Sequence, residues 1–343
     1  MRLRWGAVIG IVITAAAGGA AAAAEGGSVA ALNRALAAEE TRSGAASPQL
    51  LPLLDRLAGA QAGDGALAEA AASRSRALKI AIAAYGGDSA DGAKAMIALA
   101  EVDLLRLRYF DAEPLLTGAV NVLRARLGEE SAALATPLAG LARIALARGE
   151  FARAEQLAGR AEALSAPDPG HSSEPLRVLG AAYAAEKRFD EGEAVLRRAL
   201  ADDRREHGDD SEPAARSLVQ LANLLLRARR FEEALPLIEE AAAIDRARLG
   251  ATHPLIADDF CDIGLVYAGL RRSTAAIVAF GYAIGLIEQA GGKDSARLAY
   301  VELDLAGVLR TMGYNDAADA VFADAKRILD KAEDEEDARE RRI

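Results

Sequence analysis

The sequence predicts an all-α solenoid of about seven stacked helical hairpins, and three recurring tracks predict it. A small residue recurs at Ala58, Ala100, Ala142, Gly180, Ala222, Gly264 and Ala306, at intervals of 42, 42, 38, 42, 42 and 42 residues. An aromatic track keeps nearly the same intervals through Tyr109, Phe151, Phe189, Phe231 and Tyr314, with Ser273 in the one slot that lacks a ring. A glycine track runs through Gly86, Gly128, Gly170, Gly208, Gly250 and Gly292. In an alanine-rich chain the first track alone decides little. The second uses five of only seven Phe and seven Tyr residues, and three residue types on one clock mark a repeat architecture.

The first 24 residues stand apart from that pattern. Arg2 and Arg4 precede the uncharged stretch Gly6 to Ala24, which closes on Ala22-Ala23-Ala24 before Glu25. A basic start, an apolar run and a small-residue end read as a secretory signal peptide over 1–24. The run is also long enough for an uncleaved membrane anchor. No cysteine lies near the cleavage pattern, which argues against a lipid anchor, and no other apolar run is long enough to span a bilayer. Removing Arg2 and Arg4 from the 41 basic residues leaves 39 against 51 acidic ones, a net charge of −12. Such a chain should be repelled by nucleic acid and anionic lipid. Cys261 is the only cysteine, so no intrachain disulfide can form, and a core position is expected for it.

Residues 25–49 read as an N-terminal linker or a short capping helix. Val29, Leu32 and Leu36 share one face, and Ser28 is placed to cap it. The alternative is a tether that continues through the Gly- and Ser-containing stretch 43–48.

Residues 50–332 hold the seven repeats, expected to stack as one continuous elongated body. In the fifth, Leu218, Leu221, Leu225 and Leu226 line one helical face, and Arg227 to Arg230 make a polar turn. A second helix runs from Phe231 through Ala234, Ile238, Ala241 and Ile244 to a glycine cap at Gly250. One hairpin cannot bury both apolar faces, so neighbours must stack. Only 4% of residues are aromatic, so alanine and leucine build that core. The single 38-residue interval places a four-residue deletion between Gly170 and Gly180, near Pro169 and Pro175. Four residues are about one helical turn, so the helix face is kept. In the seventh repeat the turn before Tyr314 is expected one residue short. Residues 333–343 form a charged tail, expected to extend the last helix.

Arg230-Phe231-Glu232-Glu233-Ala234, then Pro236-Leu237 and Ala241, resembles the turn and second helix of a tetratricopeptide repeat. Tyr109 with Ala112, Glu113 and Pro114 repeats that opening, with the proline expected in a first turn that has no donors to lose. The 42-residue period and Gly250-Ala251-Thr252-His253-Pro254 are similar to the longer repeats of kinesin light chains. The resemblance implies a right-handed superhelix whose first helices line a concave groove that binds peptides, helices or whole proteins. It also implies groove asparagines that hold a ligand's backbone. Asn223 fills one such slot; the others hold Gly59, Glu101, Arg143, Ala181, Leu265 and Gly307.

Helical phase then selects the side chains that lie off the packing stripe and face the groove. They are Lys94, Glu101, Arg143, Arg177, Arg216, Gln220, Asn223, Arg227, Asp258 and Asp262. The middle of the set is basic, which suits an acidic peptide or a chain-terminal carboxylate; the plain alternative is a solvated face of scattered charges. His171, His207 and His253 fall in separate repeats, so no metal set is expected from them. Asp202, Asp203, Asp209 and Asp210 lack the spacing of a calcium loop. No nucleophile motif or phosphate loop occurs, so neither catalysis nor a cofactor is expected. The reading is an exported, non-catalytic scaffold of the bacterial periplasm, or of the inner membrane facing the periplasm if the N-terminal segment stays uncleaved. It would take a protein or peptide partner. The alternatives are a self-associating structural protein of the envelope and a membrane-anchored adaptor serving an enzyme in trans.

Overall fold

The computed structural model describes residues 28–165, 172–253, 256–291 and 295–340. The signal segment 1–24, Pro169, Gly170, His171, Pro254 and Gly292 therefore lie outside the described residues. Among the described residues there are fifteen α-helices and no strand. The chain divides into two compact units that part between Gln220 and Leu221.

Helix α1 (Val29–Ser43) opens the first unit, with the Ser28 hydroxyl accepting the Ala31 N–H at 3.3 Å. Its Leu32 and Leu36 pack into a cluster with Leu50, Leu54, Leu57 and Ile80. Of the two sequence readings it is the capping helix. Gly44 ends it at φ 91° and ψ 155°, nearly the conformation of Gly86 one period later. Thus α1 stands where the second helix of a preceding repeat would stand.

Hairpins follow as α2 (Leu51–Gly63) with α3 (Leu67–Tyr85), α4 (Ala90–Leu105) with α5 (Tyr109–Leu127), and α6 (Ala135–Ala147) with α7 (Phe151–Ser165). Next come α8 (Glu174–Ala185) with α9 (Phe189–His207), and α10 (Glu212–Arg227) with α11 (Phe231–Leu249). The last two are α12 (Ile256–Gly269) with α13 (Ser273–Gly291), and α14 (Ala296–Thr311) with α15 (Asn315–Glu340). Helix α8 has 12 residues where α4 and α10 have 16, so the four-residue deletion removes its first turn. Helix α15 runs on to Glu340, so the charged segment is helical as far as it is described.

All seven small residues sit on first helices and all are buried. Each of the seven hairpin turns closes with one left-handed residue, in order Gly65, Leu107, Gly149, Lys187, Arg229, Arg271 and Gly313. The next N–H bonds back five residues at 2.8–3.0 Å, as from Arg108 to the Asp103 carbonyl and from Tyr314 to that of Leu309. This is a helix-ending motif that satisfies carbonyls the helix leaves free. Because Gly313 holds the same place as the other six, the seventh turn is not short. Its ring has moved one position, to Tyr314, directly before the first helical residue Asn315. The prolines are also one turn deeper than expected, as the sixth residues of α5 and α11. Each removes one helical hydrogen bond, but Pro114 and Pro236 lie exposed, where water can reach the freed carbonyl. No helix of the described residues is long and apolar enough to cross a membrane.

Candidate functional site

The first unit holds a cavity of about 690 Å³, walled mainly by the first helices α2, α4, α6, α8 and α10. The repeat puts these first helices next to one another, so residues at a few offsets from the small-residue anchors reach one space. Of the ten sequence-selected groove residues, Glu101, Arg143, Arg177 and Arg216 line this cavity. Lys94 lies outside its lining, exposed and 3.5 Å from Asp91. Gln220 on α10 is half-buried and also outside the lining. Asn223, Arg227, Asp258 and Asp262 belong to the second unit.

Two charged residues of the cavity escaped the sequence reading, Arg74 and Glu174. Glu174 sits six residues before Gly180, the offset that Arg216 and Asp258 keep from their own anchors, so its position was available in the register. Arg74 was hidden because it comes from a second helix, α3, at the offset where other repeats place Leu116, Leu196, Ile238 or Phe280.

Glu174 is the hub. The Arg177 Nε and Nη2 donate to its Oε2 at 3.2 and 2.9 Å, and the Arg143 Nε lies 3.5 Å from its Oε1. Burial disfavours its charge, but Arg177, Arg143 and Arg216 outweigh that and hold its carboxyl down to about 2. Arg177 also donates through Nη1 to Asp203 Oδ2 at 3.0 Å and to the Ser217 hydroxyl at 3.3 Å, which itself donates to Asp203 at 2.5 Å. With Arg177 only 5% exposed and Asp203 only 2%, this arginine is an internal strut tying α8 to α9 and α10, not an open groove side chain.

Arg143 and Arg216 are less engaged. Arg216 reaches Glu212 only at 3.7 Å, and its Nε has no hydrogen-bond partner. Burial and the neighbouring charge of Arg177 push its guanidinium down from its usual value. Burial does the same to Arg74, which pairs with Asp55. Glu101 opens to solvent inside the cavity but has protein on most sides, and that partial loss of water raises its carboxyl.

In the second unit the one groove asparagine is occupied: Asn223 Nδ2 donates to Asp262 Oδ2 at 3.2 Å. Asp258 pairs with Arg297 at 2.7 Å. Burial, reinforced by Asp258 and Asp304, pushes Asp262 up to about 7 despite the asparagine, and burial alone pushes Asp304 up to about 6. Cys261 is buried, and burial raises its thiol. His207 ends α9 in the first unit and His253 follows α11 in the second, while His171 lies outside the described residues. Among the described residues no His, Cys, Asp and Glu group has the makings of a metal site.

The tetratricopeptide repeat family matches residues 173–247 and 213–285. No curated protein matches the chain. Among solved structures, BtubC (BKLC) from P. vanneervenii is 22% identical, with a TM-score of 0.53 over 66% of this chain and 91% of that one. The apo form of RapI is 14% identical, with a TM-score of 0.57 over 82% of this chain and 99% of its own. Aspartyl phosphate phosphatase F from Bacillus subtilis is 11% identical, with a TM-score of 0.57 over 82% and 72% of the two chains. At these identities the neighbours speak to the fold, an all-α solenoid of helical hairpins. Residues 173–285 thus match tetratricopeptide repeats, and the same helical hairpin recurs on both sides of them.

Proposed function

We propose that this chain is an exported, non-catalytic scaffold that binds a protein or peptide along the first helices of its hairpins. One observation carries the reading: Glu101, Arg143 and Arg216, from three different first helices, meet in one cavity. A binding groove needs side chains from several repeats in one place, and scattered surface charge would not produce that. The segment 1–24 supports export to the periplasm, with anchorage in the inner membrane as the alternative. A mature N-terminus beginning at Glu25 would support cleavage, and Met1 retained in the membrane fraction would refute it. Partner binding is tested by crosslinking in envelope extract with the wild type and with Ala98→Phe, which narrows the cavity at a half-buried wall residue. Partners recovered equally by both would overturn the groove assignment.

Self-association remains a second reading because of α13. From Ser273 to Ile287 it carries no charged residue, and Val278 and Tyr282 are 66% and 40% exposed. Light scattering of the mature chain decides it, since a concentration-independent monomer removes this reading.

A further inference from the structure

Two large apolar side chains stand free at one hairpin turn of the first unit, and the packing of the hairpin does not require them. Leu107, in the turn between α4 and α5, is 55% exposed, and Phe110, the second residue of α5, is 86% exposed. Within this unit the slot of Leu107 is otherwise held by Gly65, Gly149 and Lys187, and that of Phe110 by Ala68, Ala152 and Asp190. The hairpin therefore forms without an apolar residue at either place. Leu107 also holds φ 59°, a left-handed conformation that glycine adopts at less cost. Exposed apolar side chains that strain a turn point to a contact outside the chain. The charges around them are paired: Arg106 with Asp103 at 3.3 Å, Arg108 with Asp111 at 2.5 Å, and Arg148 with Glu113 at 2.6 Å. The Arg148 guanidinium also lies over the Phe110 ring, 5.4 Å from its centroid. This tip is apolar and locally neutral on a chain of net charge −10.

The course of the chain indicates what the tip faces. At the far end of α1, Arg76 Nη2 donates to the Ala45 carbonyl just past Gly44, as Arg160 Nη2 donates to the Glu129 carbonyl just past Gly128, both at 2.9 Å. Gly44 therefore lies on the edge where one repeat joins the next. Helix α1 runs as a second helix does, so it begins on the other edge, the one that carries the hairpin turns. Residues 1–27 thus reach the unit at Ser28 on the same edge as Leu107 and Phe110, and residues 6–24 carry no charge. We propose that this edge rests on a membrane surface of net-neutral lipid, with Leu107 and Phe110 seated at the boundary between headgroups and acyl chains. Leucine and phenylalanine are side chains that fill such a boundary, while flanking arginines extend their heads back to the phosphates. Two side chains alone bind a bilayer weakly. A tether to the same bilayer makes the contact intramolecular and raises its effective concentration. The inference rests on the anchored form of the scaffold, in which segment 1–24 is retained.

Quenching by brominated phosphatidylcholine tests it on the full chain in phosphatidylcholine vesicles, with Trp5→Phe removing the one native indole. Phe110→Trp and Leu127→Trp are compared in that background. Leu127 is a matched control, 53% exposed at the other end of α5 and on the opposite edge, about 25 Å along the helix from Phe110. The Phe110→Trp protein should lose most of its emission, and the Leu127→Trp protein should keep its own. Adding Leu107→Ser to Phe110→Trp should lower the ratio of docked to free protein by about tenfold, read from the quenching that remains. All three positions are exposed, so the substitutions leave the core intact. The proposal falls if Phe110→Trp is unquenched, the result expected if the tip instead meets a protein. It falls equally if Leu127→Trp is quenched as strongly or if Leu107→Ser changes nothing. Flotation of the same vesicles separates the docking from the anchored form beneath it. Protein that floats while Phe110→Trp stays bright removes the docking alone, and protein that does not float removes the anchored form as well.

Discussion

A Cβ placed on Gly180 would lie 2.3 Å from Leu196 Cγ, a separation no two carbons tolerate, and Leu196 is itself only 1% exposed. The same pairing recurs where a Cβ on Gly264 would meet the Phe280 ring at 2.8 Å. Glycine is thus required at these two anchors, where Leu196 and Phe280 leave no room for a Cβ. We expect Gly180→Ala to destabilise the first unit by about 1–3 kcal/mol, as overpacking does in closed cores. Combining it with Leu196→Ala should cost less than the sum of the two changes, because each relieves the other. Urea melts of the four proteins measure this, and strict additivity would refute the contact. The hairpin turns make a contrasting case. Leu107 holds φ 59° and is 55% exposed, so it bears a backbone cost without a compensating burial. Leu107→Gly should raise stability by up to about 1 kcal/mol. The small-residue track was legible in the sequence because steric exclusion admits only Gly or Ala at that slot. The turn track was not, because Gly, Leu, Lys and Arg can all hold its backbone conformation and share no side-chain chemistry.

Helices α8, α9 and α10 show how one element is pinned to its neighbours by charge. Arg177 leaves α8 and ends between Asp203 and Ser217, of which Ser217 is fully buried. Truncating it strands the Asp203 carboxylate in a site without water. Arg177→Ala should therefore cost about 3–5 kcal/mol, the scale for breaking a buried pair from one side. Arg143→Gln, which removes only a 3.5 Å contact at the cavity wall, should cost far less. Thermal melts that rank the two equally would contradict the strut. Helical phase placed both arginines on the groove side, and it was right about the elements they come from. It could not separate them, because the distinction lies in a carboxylate 26 residues further on that draws one of them inward. Arg74 was missed for the complementary reason: a charged residue in an otherwise apolar slot of a second helix reads as a lapse in the pattern until the cavity beside it is seen. Asn223 met the family's pattern, and its amide is nonetheless engaged by Asp262.

Glu174 in the first unit and Asp262 in the second should respond to pH in opposite senses, because their carboxyls are perturbed in opposite directions. In the first, Glu174 is held at about 2, below its ordinary 4.5. The unfolded chain then binds the proton more readily, so the stability Glu174 lends is complete above about pH 5. It is lost as pH falls through 4.5 towards 2. In the second, Asp262 is pushed up to about 7 from its ordinary 3.8, and it is only 3% exposed. Here the folded chain binds the proton more readily. Its contribution is complete below about pH 4 and is lost as pH rises through 7, at up to about 1.4 kcal/mol per pH unit. Asp304, pushed up to about 6, adds a loss of the same sign. Between pH 5 and pH 8 the Glu174 contribution should therefore stay constant while the second unit melts progressively lower. Hydrogen exchange followed by mass spectrometry assigns each transition to its residues. Asp262→Asn keeps the shape, removes the titration and should flatten the second unit's profile over that range. A second unit that melts at one temperature from pH 5 to pH 8, or an Asp262→Asn profile as steep as the wild type's, would contradict a proton held at Asp262.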